Sequence, residues 1–314
     1  MLPNSPVIAL YALGFATALV ASVVLTYVVR DRARRAGLFD PVDARKLHTA
    51  PIPRVGGVAI FLTVVVALGA VFLHPASAGV WADSHGLTVV LAGGTLVHLL
   101  GLYDDLRAMP ARWKLAVQVV IAACVYAAGL RITALSLPFV GTTELGPALA
   151  FPFTLLWLVG ITNAFNLIDG LDGLASGAAL FALTTMFVVA GINGQGGAAV
   201  VTVILAGATL GFLIYNFPPA SIFLGDSGSL FLGFMLAGVG LLSSQKSQTV
   251  VAVAIPVVAL GLPVLDTALA ITRRFLRGQP IFTADRSHIH HRLLSLGHSP
   301  KQVALLLYVA CAIL

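Results

Sequence analysis

Long apolar runs alternate with short polar stretches along almost the whole chain, and that alternation sets the expected architecture. Runs near 7–29, 56–73, 86–103, 112–129, 148–163, 171–190, 198–216, 228–244 and 249–272, with one more from 301 to 314, each read as a membrane helix, because about 20 apolar residues cross a bilayer. The pattern predicts an all-α polytopic membrane protein with about ten transmembrane helices. The runs are continuous, without the in-out alternation of a membrane β-barrel. The fifth is short and the eighth is glycine-rich. The ninth carries Pro256 and Pro263, which predict a kink or break. The run from Lys301 stops at Leu314, so the last helix is expected to be incomplete. Segment 130–147, RITALSLPFVGTTELGPA, fits a short external β-hairpin around its Gly-Thr-Thr turn, near 131–147. No repeat, low-complexity tract or second domain appears, so 1–314 reads as a single integral membrane domain. Nothing basic precedes the first run, so it is expected to be a retained span and not a cleaved signal.

Composition agrees. The chain is 59% hydrophobic and 10% charged, whereas soluble domains carry about 25% charged residues. A net charge of +6 raises the question of nucleic acid, but its distribution argues for membrane topology instead. Of 18 Lys and Arg, 16 fall on one alternating set of loops and their flanks: 30–55, 104–111, 164–170, 217–227 and 273–300. Only Arg131 and Lys246 fall on the other set. The positive-inside rule then places the first set in the cytoplasm and the N-terminus outside. Cys124 and Cys311 both lie in apolar runs, so neither a disulfide framework nor a cysteine metal site is implied.

The same topology gathers acids and imidazoles. Asp104, Asp105, Asp169, Asp172, Asp226 and Asp285 fall on the cytoplasmic side, with His288, His290 and His291. Only Asp83 and Glu144 are clearly external. Charges inside a bilayer cost at least about 2.5–3.5 kcal/mol each at a helix centre, so this convergence calls for a function beyond solvated turns.

GLYDDL at 101–106 puts two adjacent carboxylates at the inner end of the third span, suited to a divalent cation or to a base of raised pKa. NAFNLIDGLDGLASG at 163–177 places Asp169 and Asp172 three apart, on one face if the segment is helical. Asn163 and Asn166 add amides that could hold a sugar hydroxyl, a uracil edge or a hydrated Mg²⁺. In YNFPPASIFLGDSGSL at 215–230 the prolines end the seventh span, and Asp226 sits in a glycine-flanked turn. That acid reads either as a helix N-cap or as a metal ligand open to phosphate. DRSHIHHRLL at 285–294 groups three histidines with Arg286 and Arg292. Their spacing does not suit zinc, whereas their N–H groups suit a pyrophosphate. Asp266, in the ninth span, faces the site or pairs with an arginine such as Arg273.

These motifs, with KLHTAPIPRVGG at 46–57, resemble the bacterial polyprenyl-phosphate N-acetylhexosamine-1-phosphate transferases. The resemblance runs through nearly the whole chain. It implies transfer of a sugar 1-phosphate from a UDP-sugar to a membrane polyprenyl phosphate, with release of UMP. His-Ile-His-His at 288–291, in place of three consecutive histidines, and PRVGG at 53–57 resemble the branch that uses UDP-GlcNAc. That branch usually has eleven spans. The resemblance further implies Asp226 as ligand of Mg²⁺ (or Mn²⁺) with Asp104 beside it, and Asp104 and Asp105 as a catalytic pair that deprotonates or orients the lipid phosphate. Asn166, Asp169, Asp172 and Asn216 would line the nucleotide site. Arg286, His288, His290, His291, Lys46 and Arg54 would bind the rest of the substrate. Expected partners are UDP-GlcNAc, undecaprenyl or another polyprenyl phosphate and membrane lipids, with no nucleic acid. The family often forms homodimers, although no feature of this sequence shows one. The expected location is a bacterial plasma membrane, with the site on its cytoplasmic face. Two alternatives stand beside this reading: the enzyme that takes UDP-MurNAc-pentapeptide, and a transporter. A transporter would place polar groups at the bilayer midplane and often shows an internal repeat.

Overall fold

In hydrocarbon every backbone N–H and C=O must be satisfied internally, so apolar runs of this length fold as helices. The computed structural model describes residues 5–39, 51–81, 84–137, 141–245, 260–276 and 289–313. Its helices are α1 (Ser5–Arg35), α2 (Gly56–Phe72), α3 (His85–Arg107), α4 (Ala111–Ala127), α5 (Pro147–Ile168), α6 (Leu174–Ile192), α7 (Gly196–Asn216), α8 (Gly225–Gln245), α9 (Gly261–Leu276), α10 (Ile289–Ser295) and α11 (Pro300–Ile313). Strands β1 (Ala134–Leu137) and β2 (Gly141–Glu144) pair antiparallel between α4 and α5, with Ala134 opposite Glu144 and Leu137 opposite Gly141.

Six helices among the described residues are long and apolar enough to cross a membrane: α1, α3, α5, α6, α7 and α8. Helices α2 and α11 are apolar but shorter. The expectation of about ten spans therefore rests on shorter helices in addition to these six.

The bundle is organised around α8, which packs against α2, α3, α5 and α6. Leu230, Leu232, Met235 and Leu236 on it are fully buried. Helix α1 lies against α7 and α2, and α6 joins α7 to α11. Apolar burial gives little drive between helices already in lipid, so close packing and hydrogen bonds carry more of the association. Ser22 Oγ donates to the Ala208 carbonyl at 2.6 Å, joining α1 to α7. Trp157 Nε1 donates to the Ala237 carbonyl at 2.9 Å, joining α5 to α8. Gly57 of α2 comes close to Gly228 of α8, where a methyl group on Gly57 would collide with the Ser227–Gly228 backbone.

Two boundaries differ from the sequence pattern in ways that shape the site. Helix α5 continues through most of the expected 164–170 loop, because Asn163 answers its own helix by donating from Nδ2 to the Val159 carbonyl at 2.8 Å. Past Ile168 the chain turns, with Gly173 in the left-handed region at φ 72°. Asp169 and Asp172 thus do not share a helix face.

Candidate active site

Backbone pairing fixes one wall. Phe223 N donates to the Pro53 carbonyl at 2.7 Å, Gly56 N to the Phe223 carbonyl at 2.9 Å, and Gly57 N to the Leu224 carbonyl at 2.8 Å. The PRVGG segment is thereby stitched to the turn that begins α8. Arg30 Nη1 donates to Ser221 Oγ at 3.2 Å, so the end of α1 grips the same turn. Gly225 opens α8 at φ 72°, in a space where a Cβ would meet the Arg54 carbonyl.

The Asp105 side chain is fully enclosed. Its Oδ1 accepts from Asp226 N at 2.8 Å and its Oδ2 from Ser227 N at 2.9 Å. Arg54 Nη2 lies 3.2 Å from the same Oδ1. With both oxygens engaged, Asp105 caps α8 from α3. Asp105, expected as half of a catalytic base pair, thus also serves as the acceptor for two backbone N–H groups of α8.

Asp104, one residue earlier, points elsewhere. Its Oδ1 accepts from Met109 N at 2.5 Å, and its Oδ2 lies 2.9 Å from Lys114 Nζ. Lys114 Nζ also reaches Asp226 Oδ2 at 2.5 Å. On its other oxygen Asp226 accepts from Asn166 Nδ2 at 3.1 Å and lies 3.6 Å from Arg54 Nη2. Asn166 Nδ2 also donates to Ser229 Oγ at 2.9 Å. Burial pushes Asp169 well above the ordinary carboxylate range, and the charges of Asp226 and Asp105 push the same way against the pull of Arg54.

Four carboxyl groups therefore share one pocket of charge with two basic side chains. Among the described residues no three acids, histidines or cysteines form a ready-made metal cage. Mg²⁺ does not require one, since it commonly uses one or two carboxylates and takes its remaining oxygens from water and phosphate. Asp104 and Asp226 supply hard oxygens around a point already held by an ammonium group, so the residues fit a divalent cation.

The other expected site residues divide. Arg54 lies at the cluster. Asp172 Oδ2 accepts from Ala220 N at 2.9 Å and holds the turn before α8. Asn216 is buried, accepts from Ser176 Oγ at 2.9 Å and donates to the Ile222 carbonyl at 3.0 Å. Both, expected in the nucleotide lining, hold the turn before α8 in this structure. His290 is buried and lies beside His291, with ring centroids 4.2 Å apart and planes tilted by 42°. Lys46, Arg286 and His288 lie outside the described residues. The sequence reading counted Lys114 only as a cytoplasmic charge. Its signal was its place one turn into α4, nine residues after Asp105. Gln118, one turn further on, was missed as well, and its Oε1 accepts from Asn163 Nδ2 at 2.5 Å.

The chain is 40% identical, over 94% of its length and 80% of the relative's, to a probable undecaprenyl-phosphate N-acetylglucosaminyl 1-phosphate transferase of Bacillus subtilis (strain 168). It is 39% identical, over 93% of its length and 78% of the relative's, to a decaprenyl-phosphate N-acetylglucosaminephosphotransferase of Mycobacterium tuberculosis (strain ATCC 25618 / H37Rv). An undecaprenyl-phosphate alpha-N-acetylglucosaminyl 1-phosphate transferase of Escherichia coli (strain K12) is 26% identical over 92% of this chain and 77% of its own. Residues 87–244, which carry Asp104, Asp105, Lys114, Asn166, Asp169 and Asp226, match the family model described as glycosyl transferase family 4. On the match through its charged cluster and the identity along its length, the chain belongs to glycosyl transferase family 4.

Proposed function

We propose that the protein transfers GlcNAc-1-phosphate from UDP-GlcNAc to a polyprenyl phosphate, giving polyprenyl-pyrophosphoryl-GlcNAc and UMP. The observation that carries this reading is the Asp104–Lys114–Asp226 bridge beside Arg54, at the shared end of α3, α4, α5 and α8. A membrane-end cluster of oxygens and cations is what two phosphate substrates need, one arriving from water and one from lipid. The relatives' names supply the acceptor class and the sugar.

In the reaction an oxygen of the lipid phosphate attacks the sugar-bearing phosphorus of the nucleotide. The new P–O bond forms as the bond to the UMP oxygen breaks, and UMP leaves with that electron pair. The attacking oxygen is already anionic, so the protein's work is positioning and charge neutralisation. Lys114 and Arg54 are the basic groups within reach of the transferred phosphate. A divalent cation such as Mg²⁺, held by Asp226 and Asp104, would supply further neutralisation of pyrophosphate charge. The site lies on the cytoplasmic face of a bacterial plasma membrane in this reading, because the basic loops cluster at that end.

The test is purified protein in detergent with undecaprenyl phosphate, Mg²⁺ and either UDP-GlcNAc or UDP-MurNAc-pentapeptide. UMP release with UDP-GlcNAc alone is the expected result. Release only with the pentapeptide substrate would transfer the protein to the cell-wall reaction, and no release with either would overturn the reading.

A further inference from the structure

A buried acid is costly unless it is hydrogen-bonded, and Asp266 of α9 is 5% exposed. Its Oδ1 accepts from Ile289 N at 2.9 Å. That amide is the first of α10, the short helix that carries His290 and His291. The adjacent His290 is 1% exposed. Its imidazole lies directly over Gly170 in the turn between α5 and α6, where a Cβ on Gly170 would stand 2.8 Å from His290 Nε2. Asp169, the neighbour of Gly170, senses Asp226, Asp105 and Arg54. Three segments distant in sequence thus meet at one edge of the charged cluster: the acid on α9, the first turn of α10 and the glycine turn after α5.

We propose that Asp266 is a positioning residue for His290. By fixing the Ile289 backbone it sets where α10 begins, and so holds the imidazole against the Gly170 turn beside the carboxylates. Gly170 completes the arrangement from below, since any side chain there would lift the ring. The hydrogen bond needs an oxygen acceptor at Asp266 and not its charge, so asparagine serves where alanine does not. The catalytic consequence rests on the transfer reaction proposed above, but the positioning itself does not.

Two readouts keep these apart. The first is carbethoxylation of His290 by diethyl pyrocarbonate, resolved from its neighbours by tandem mass spectrometry. His290 is expected to be protected in the wild type and in Asp266→Asn, and to label faster in Asp266→Ala and Gly170→Ala. The second is turnover. Displacement of a positioned group by about 1 Å costs on the order of 100-fold, so kcat in Asp266→Ala and in His290→Ala should both fall by about that factor. Asp266→Asn should retain most activity, and the double variant Asp266→Ala/His290→Ala should be no slower than His290→Ala alone. Unchanged protection of His290 in Asp266→Ala, or additive losses in the double variant, would overturn the proposal. If the wild type fails to turn over UDP-GlcNAc, the labelling still decides the positioning, and only the proposed reaction falls.

Discussion

Without the ammonium group of Lys114, Asp104 and Asp226 would face each other with nothing but Arg54 to offset them. Breaking a partly buried ion pair from one side strands the charge left behind. Lys114→Met should therefore lower the melting temperature in EDTA, and millimolar Mg²⁺ should restore part of it by taking the vacated point between the carboxylates. Turnover should fall on the order of 100-fold or more, the cost of losing one preorganised electrostatic contact. A melting temperature indifferent to both the substitution and Mg²⁺ would dissociate Lys114 from the cation site. Asp169 gives a pH prediction of opposite sign to the usual acid. Its carboxyl is held above the ordinary range, so the folded protein binds a proton that the unfolded chain has released. Its ionisation thus removes stability as pH rises from the ordinary carboxylate value of about 4 toward the raised one. In EDTA the wild-type melting temperature should decline with pH more steeply than that of Asp169→Asn, and parallel slopes would refute the assignment. At this scale the sequence was informative about which residues matter and less so about what each does. Asp104 and Asp226 were legible as carboxylates needing a reason. That Asp105 is spent on α8 was not, because its hydrogen-bond partners are 121 and 122 residues away. The bonds of Asp172 to the turn before α8 and of Asn216 to Ser176 were not legible for the same reason.

Helix α8 can approach α2 closely only because both present glycine at the crossing. Gly57→Ala would drive a methyl group into the Ser227–Gly228 backbone, which has no flexible end to give way. The first turn of α8 carries Asp226, so this substitution should abolish transfer and lower thermal stability sharply. Gly69→Ala, on the same helix but with nothing within 4 Å, is the matched control and should be close to neutral. Equal tolerance at both positions, measured by melting temperature and UMP release, would remove the crossing from the account. Most helices were legible from apolar periodicity and length, because a bilayer leaves a long apolar run few other choices. The end of α5 was not, since polar residues such as Asn163 suggested a loop while their amides in fact bond within the bundle.

At the scale of the molecule, Arg30, Arg34, Arg54 and Lys114 lie at the end of the bundle where α8 begins, and the β1–β2 hairpin is joined to the opposite ends of α4 and α5. In a Cys124→Ala/Cys311→Ala background, Glu144→Cys should react with a membrane-impermeant maleimide on intact cells, and Arg35→Cys only after permeabilisation. The reverse pattern would invert the proposed orientation. The cap on α8 has a wider consequence. The amino end of a helix carries about half a unit of positive charge and is a ready place for a phosphate. Here that end is spent inside the protein, on the carboxylate of Asp105. The site's pull on an anionic substrate therefore comes from side-chain cations such as Lys114 and Arg54, with little from main-chain dipoles. Screening ions should compete with such attraction directly, so nucleotide affinity should weaken steeply with ionic strength.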